Sequence, residues 1–264
     1  MEQFTTLNKN KDYVRSLQQE IGVKADGIYG PGTHAAARNY YGMPIMMHMG
    51  KVIPIDAPLE VDWSAPLYEL DDGTKNWYTR KKDPQSICVH WGGLNTRHCY
   101  NVFNMARGRH VSSHFLIGRN HKTGEYEILQ CLDTGLVAYH AGKFNAPSIG
   151  VDICMHPDVK YWDKTQQWYP DSYTGEWVGS DDRVNGKEIV MIGDEFAEVC
   201  RQFLQSLREA TGLADKPVCE SHDVMSVPEA LKYSIVGHHN ISAKKWDVIP
   251  WARELYHGLD ESNV

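Results

Sequence analysis

Five short apolar runs, each too short to make a helix, recur between residues 86 and 238: SICVHW (86–91), SSHFLIG (112–118), EYEILQ (125–130), SIGVDIC (148–154) and YSIVGH (233–238). Runs of this length that are rich in Ile and Val and end at Gly, Asn, Asp or Pro are read as strands. Helical stretches lie among them, at TRHCYNVFNMAR (96–107), GDEFAEVCRQFLQSLREATG (193–212) and IPWARELYHG (249–258). The long one carries Phe196, Val199, Cys200, Phe203, Leu204 and Leu207 as one apolar stripe, the pattern of a helix packed by one face. Strands mixed with helices imply an α/β domain over residues 75–264, with a central mixed sheet flanked by helices. Residues 156–188 break the rhythm, with three tryptophans and three tyrosines among frequent turn formers. An irregular connection of that length either serves a site or is an aromatic-stapled structural insertion.

At 264 residues the chain has room for one large domain and a small module. No apolar stretch reaches the ~18 residues that span a bilayer, so a soluble protein without membrane insertion is expected. The start, MEQFTTLNKNKDYV, lacks an apolar core behind a basic flank and does not read as a signal peptide. Cytoplasmic synthesis is the expectation. Cys88, Cys99, Cys131, Cys154, Cys200 and Cys219 have no paired CxxC spacing and are read as buried thiols. A formal charge of −7 argues against a nucleic-acid partner, which would want a basic face.

Residues 1–43 form a small helical module. Val14, Leu17 and Ile21 fall at helical spacing, a second helix starts near Pro31, and KADGIYGPG connects the two. The run Val14, Arg15, Leu17, Gln18, Gly22, Val23, Ala25, Asp26, Gly27, Gly30, Pro31, Thr33 resembles the peptidoglycan-binding repeat of cell-wall hydrolases, shortened to two helices. A unit this small is expected to lean on the main domain. Residues 44–74, rich in proline, read as a partly packed linker. The methionines at 43, 46, 47 and 49 are read as packing rather than as a copper site.

The stretch VGHHNISAKKWDVIPW (236–251) sets two histidines, two lysines and an aspartate behind a short strand. A catalytic zinc site needs three protein ligands and an open fourth position. The third could come from His90, at the end of the first of the five strands. The ordered set of His90, SSHFLIGR, AYHAGKFNAPSIGVDI (138–153) and GHHNISAKKWD (237–247) resembles the zinc-dependent N-acetylmuramoyl-L-alanine amidases of the type 2 family, which share a fold with peptidoglycan recognition proteins. The resemblance covers roughly residues 85–257.

It implies a Zn2+ cofactor held by His90, His238 and Asp247, with His238 preferred over its neighbour His239. It also implies Asp152 as the base, where many members carry a glutamate, and Lys245 rather than Lys244 as the cation that stabilises the oxyanion. Trp91, Ser113, His140 and Asn145 are the implied substrate contacts; His140 reads equally well as a hydrogen-bonded core histidine. The chain departs from the family at Val248 and Ala243, where prolines are common, and at Ser113, where some phage members have a tyrosine. The implied activity is hydrolysis of the bond between N-acetylmuramic acid and L-alanine in bacterial peptidoglycan. The expected setting is a monomeric phage endolysin made in the host cytoplasm and reaching the wall after membrane permeabilisation. The alternatives are a recognition module that does not cut, a zinc endopeptidase, and a bacterial recycling amidase.

Overall fold

The computed structural model describes residues 5–67, 69, 73–104, 110–179 and 181–259. Residues 1–4 of the expected N-terminal module, 68 and 70–72 of the expected linker, 105–107 of the expected helix, 180 of the aromatic segment and the last five residues lie outside that description.

The chain opens with helices α1 (Thr5–Asn8), α2 (Lys11–Glu20) and α3 (Pro31–Tyr41), followed by a hairpin of β1 (Ile45–His48) and β2 (Lys51–Pro54). Next come β3 (Val61–Asp62), β4 (Trp77–Thr79), β5 (Ser86–Trp91) and α4 (Thr96–Asn104). The middle of the chain supplies β6 (Phe115–Arg119), β7 (Tyr126–Gln130), β8 (Leu136–Ala138) and β9 (Ser148–Ile153). Then come α5 (Trp162–Trp168), β10 (Tyr173–Glu176), β11 (Glu188–Met191), α6 (Asp194–Ala210), α7 (Val227–Ala230), β12 (Ile235–Gly237) and α8 (Ala252–Tyr256). No described helix is long and apolar enough to cross a membrane.

Six strands form one mixed sheet in the order β12-β5-β9-β6-β7-β3, in which only the β6–β7 pair is antiparallel. This is the α/β architecture expected from the sequence. Strand alternation divides the labour between its faces. Ile87, Val89, Ile149, Val151 and Ile153 share a core with Phe196, Phe203, Leu204 and Leu207 of α6, where the Phe115 and Phe203 rings meet edge to face at 5.3 Å. Each such side chain is worth roughly 1.5–3 kcal/mol when buried rather than exposed. Asp194 and Glu195 in the first turn of α6 and Arg208 in its last complement the helix dipole. Leu116 and Leu129, on the other face, pack with Cys99, Tyr100 and Phe103 of α4. His90 and Asp152 belong to that second face, and their strands pair in parallel with His90 opposite Asp152. Parallel pairing gathers the carboxyl ends of β12, β5 and β9 at one edge, the usual place for a site in such sheets.

The residues of the N-terminal pattern have visible jobs. Gln18, 1% exposed, donates to Asp26 Oδ1 (2.9 Å) and to the Ile28 carbonyl (3.1 Å), and accepts from the Gly27 amide (2.8 Å). Gly27 sits at φ +77°, a conformation that favours glycine. One side chain thus closes the connection between α2 and α3. The helices pack on the 44–74 stretch: Tyr29 stacks on Trp63 at 6.0 Å, and the Tyr13 hydroxyl bonds Val52. That stretch is itself packed. Met46 and Met47 are buried, Gln130 bonds both the amide and the carbonyl of Met47, and β3 joins the main sheet. All six cysteines are free and buried.

Candidate active site

Three donor atoms from three places in the chain converge at the carboxyl ends of β5 and β12. His90 Nδ1 lies 3.0 Å from His238 Nδ1, and Asp247 Oδ2 lies 3.4 Å from the first and 3.3 Å from the second. His90 is 5% and Asp247 4% exposed. Only one proton can lie between two facing imidazole nitrogens. Burial would push the Asp247 carboxyl up, yet hydrogen bonding from His238 and His90 outweighs it and holds the group far below the carboxylate range. Burial pulls His238 down, toward the neutral form that binds metals.

The local sequence explains the convergence. The chain leaves β12 at Gly237, whose extended backbone leads into a single 3-10 turn over His238–Asn240. A Cβ at Gly237 would collide with Cε1 and Nδ1 of His239, so glycine is what lets the His239 ring fold beneath it. Asn240 clasps the turn, accepting from the Gly237 amide (2.9 Å) and donating to the Ser221 and Asp223 carbonyls. Of the adjacent pair, His238 therefore faces His90. His239 is fully buried apart from the cluster, and burial lowers its pKa to about 3.

The donor set fits zinc. Ligands at 2.0–2.1 Å around a tetrahedral ion stand about 3.3–3.4 Å from one another, and the three separations found here are 3.0–3.4 Å. The far side of His90 supports the same reading. Its Nε2 lies 2.9 Å from His140 Nδ1, His140 Nε2 lies 3.3 Å from Ser148 Oγ, and Ser148 donates to the Phe144 carbonyl. If His90 keeps a lone pair on Nδ1, each proton in that chain has an acceptor. Such a partner fixes the tautomer and orientation of a ligating histidine. Burial drives His140 well below the ordinary histidine range, so it stays neutral and able to accept. A second donor group, Cys88, His90 and His140, shares His90. Burial pushes the Cys88 thiol up, and Cys88 has no place in the wall of the cavity above the cluster.

That cavity, of about 810 Å³, is lined by His90, His238 and Asp247. It is also lined by Asp152, Lys245, Trp91, Ser113, His140 and Asn145, every remaining residue singled out from the sequence. Lys244 is not among the lining residues. Asp152 accepts a short hydrogen bond from Ser113. Burial pushes its carboxyl up, opposed by His90 and by the Ser113 hydroxyl. Gly150, two residues before it on β9, leaves the space that the His140 ring and the Ser113 hydroxyl use; a Cβ there would stand 2.8 Å from His140 Cγ and 3.0 Å from Ser113 Oγ.

Besides His140, two of the implied substrate contacts have hydrogen-bond partners within the protein. Ser113 serves Asp152, and Asn145 Oδ1 accepts from the His140 (2.9 Å) and Ala141 (2.5 Å) amides, holding the turn that carries His140. Trp91 packs on His156 with ring centroids 4.3 Å apart, and His156 on Tyr161 at 4.0 Å. His156 and Tyr161 also line the cavity, so the aromatic segment supplies one of its walls. Its Tyr169, fully buried, is a core residue. The segment therefore has a site-lining part and a stapling part, the two readings its composition left open.

Residues 80–178 match the family of N-acetylmuramoyl-L-alanine amidases. The amidase match includes His90, Ser113, His140, Asn145 and Asp152; His238, Lys245 and Asp247 lie beyond it. Among solved structures the chain is similar to a mutant endolysin from Bacillus subtilis, with 16% identity over 72% of this chain and 94% of that one, at a TM-score of 0.38. It is also similar to a mutant of PlyL, with 16% identity, 69% and 88% coverage, and a TM-score of 0.35. No curated protein matches the chain.

Proposed function

We propose that this chain is a zinc-dependent N-acetylmuramoyl-L-alanine amidase, which hydrolyses the amide between the lactyl group of N-acetylmuramic acid and the first alanine of the stem peptide. The observation that carries the reading is the meeting of His90, His238 and Asp247 beside Asp152 in one cavity, within a domain whose first part matches amidases.

In this reading His90 Nδ1, His238 Nδ1 and Asp247 Oδ2 hold the ion. Zinc bound there would act as a Lewis acid toward the scissile carbonyl and make water acidic enough to attack near neutral pH. The protein's own groups do the rest. Asp152, raised by burial yet kept ionisable by Ser113, takes a proton from the attacking water and returns it to the amide nitrogen as the C–N bond breaks. Lys245 sits on the exposed rim of the cavity and supplies positive charge where the carbonyl oxygen becomes negative. His140 and Ser148 keep His90 in the tautomer that faces the ion.

The N-terminal helices would hold the enzyme on the wall, and the setting that suits this combination is a phage endolysin acting after the host membrane is permeabilised. Digestion of purified sacculi followed by mass spectrometry tests the activity. Free stem peptides with intact glycan strands are expected; new reducing sugar ends, or cuts within the peptide, would reject it.

A further inference from the structure

We infer that Arg183, carried by the aromatic segment, is a positioning residue for the loop that bears His238, Lys245 and Asp247. Its guanidinium is a junction between three parts of the chain. Nη1 donates to the His239 carbonyl (2.9 Å) and to the Lys245 carbonyl (2.9 Å), and Nη2 donates to the His222 carbonyl (2.5 Å). Its remaining donors go to Asp181, from Nε at 2.9 and 3.1 Å and from Nη2 at 2.5 Å. The Asp181 carboxyl is lowered to about 2, first by this hydrogen bonding, so the pair carries no net charge.

The bonded carbonyls bracket the metal loop. His239 comes directly after one proposed ligand, Lys245 is the proposed oxyanion cation, and Asp247 lies two residues further on. Between them the chain runs through Ser242, Ala243 and Lys244, where two positions are exposed and no proline stiffens the loop. A loop without that stiffening needs an outside clamp to hold its two ends at a fixed separation. Asn240 clamps the first end from within. Arg183 ties both ends to each other and to the 221–223 segment. A planar fork of five donors can serve three carbonyls and a carboxylate at once, which a lysine cannot. The segment is anchored in turn: β10 pairs with β11, and Trp251 Nε1 donates to the Val190 carbonyl at 2.9 Å.

The inference rests on the proposed zinc site for its meaning, and the test separates the two. Hydrogen–deuterium exchange of the metal-free full chain is compared for wild type, Arg183→Met and Arg183→Lys, alongside zinc affinity by competition with a chromophoric chelator. Amides of 237–247 should exchange roughly tenfold faster in Arg183→Met, while those of β5 and β9 keep their protection. Zinc should bind about 10- to 100-fold more weakly, and Arg183→Lys should restore only part of either property. Unchanged protection at 237–247, or protection lost evenly across the sheet, would overturn the positioning role; should Arg183→Met not fold, Arg183→Lys is judged by the same two criteria. A wild-type chain that holds no zinc would sink the metal reading and leave the exchange data to decide the role of Arg183.

Discussion

The Nδ1 atoms of His90 and His238 face each other across 3.0 Å, although the two residues are 148 positions apart in the chain. Two lone-pair donors at that distance repel unless a proton or a cation lies between them, and Asp247 Oδ2 completes the third corner. Removing that corner leaves two nitrogen donors, too few for a tightly held ion. Asp247→Ala should therefore lose zinc at micromolar chelator where wild type retains it, and wall clearing should fall by at least about 100-fold. Wild type treated with chelator should lose clearing and regain it with added zinc. Full clearing by Asp247→Ala would remove this residue from the site.

Asp152 and Ser113 are predicted to act as a pair. Asp152→Asn should retain zinc but lower kcat by about 10²–10⁴-fold, the usual contribution of a general base. The Ser113 hydroxyl donates to the ionised carboxyl and so lowers its pKa. Ser113→Ala removes that donor, and the acid limb of the kcat profile should move to higher pH. A profile that stays in place, or moves to lower pH, would show that Asp152 is not the group titrating in it.

His140 should matter through His90. With the 2.9 Å contact to His90 Nε2 gone, the ligand ring loses the partner that fixes its tautomer, and His140→Phe should bind zinc about 10- to 100-fold more weakly. Isothermal titration would read this directly. A loss of kcat with unchanged zinc affinity would instead assign His140 to the substrate or the leaving amine.

Much of this candidate site could be read in one dimension because two of the proposed ligands stand near strand ends. SICVHW and YSIVGH each deliver a histidine within one residue of the strand's last position, and Asp247 lies in the same loop as the second. What the sequence hid were the partnerships. Ser113 and Asp152 are 39 residues apart and meet only because β6 pairs in parallel with β9, which no local pattern reports. Arg183 reaches carbonyls 56 and 62 residues away, and a backbone acceptor leaves no signature in residue type. The short strands β1, β2, β4, β8, β10 and β11 escape a sequence reading because three or four residues are too few to show a period of two. The 44–74 stretch reads as a linker by its prolines, although Gln130 and Val52 show how firmly tertiary bonds fasten it.

The buried histidines make the fold sensitive to acid, and His114 shows how. It is fully buried at the start of β6, where Nδ1 accepts from the Gly150 amide (2.9 Å) and Nε2 donates to the Leu136 carbonyl (3.0 Å). The ring must be neutral to accept at Nδ1, and burial together with the Arg80 charge lowers its pKa to about 3. In the unfolded chain the same group titrates near 6.5. Between those values the unfolded state binds the additional proton, so stability is complete above pH 6.5 and declines as the pH falls toward 3. The slope is about 1.4 kcal/mol per pH unit for one proton, or roughly 2–3 kcal/mol by pH 4.5. Urea unfolding in chelator at pH 7.5 and 5 should show this decline in wild type. His114→Gln should start about 1–3 kcal/mol less stable at pH 7.5 but fall less steeply, because its side chain takes up no proton. Equal slopes in the two proteins would place the acid sensitivity at other groups and refute a neutral His114.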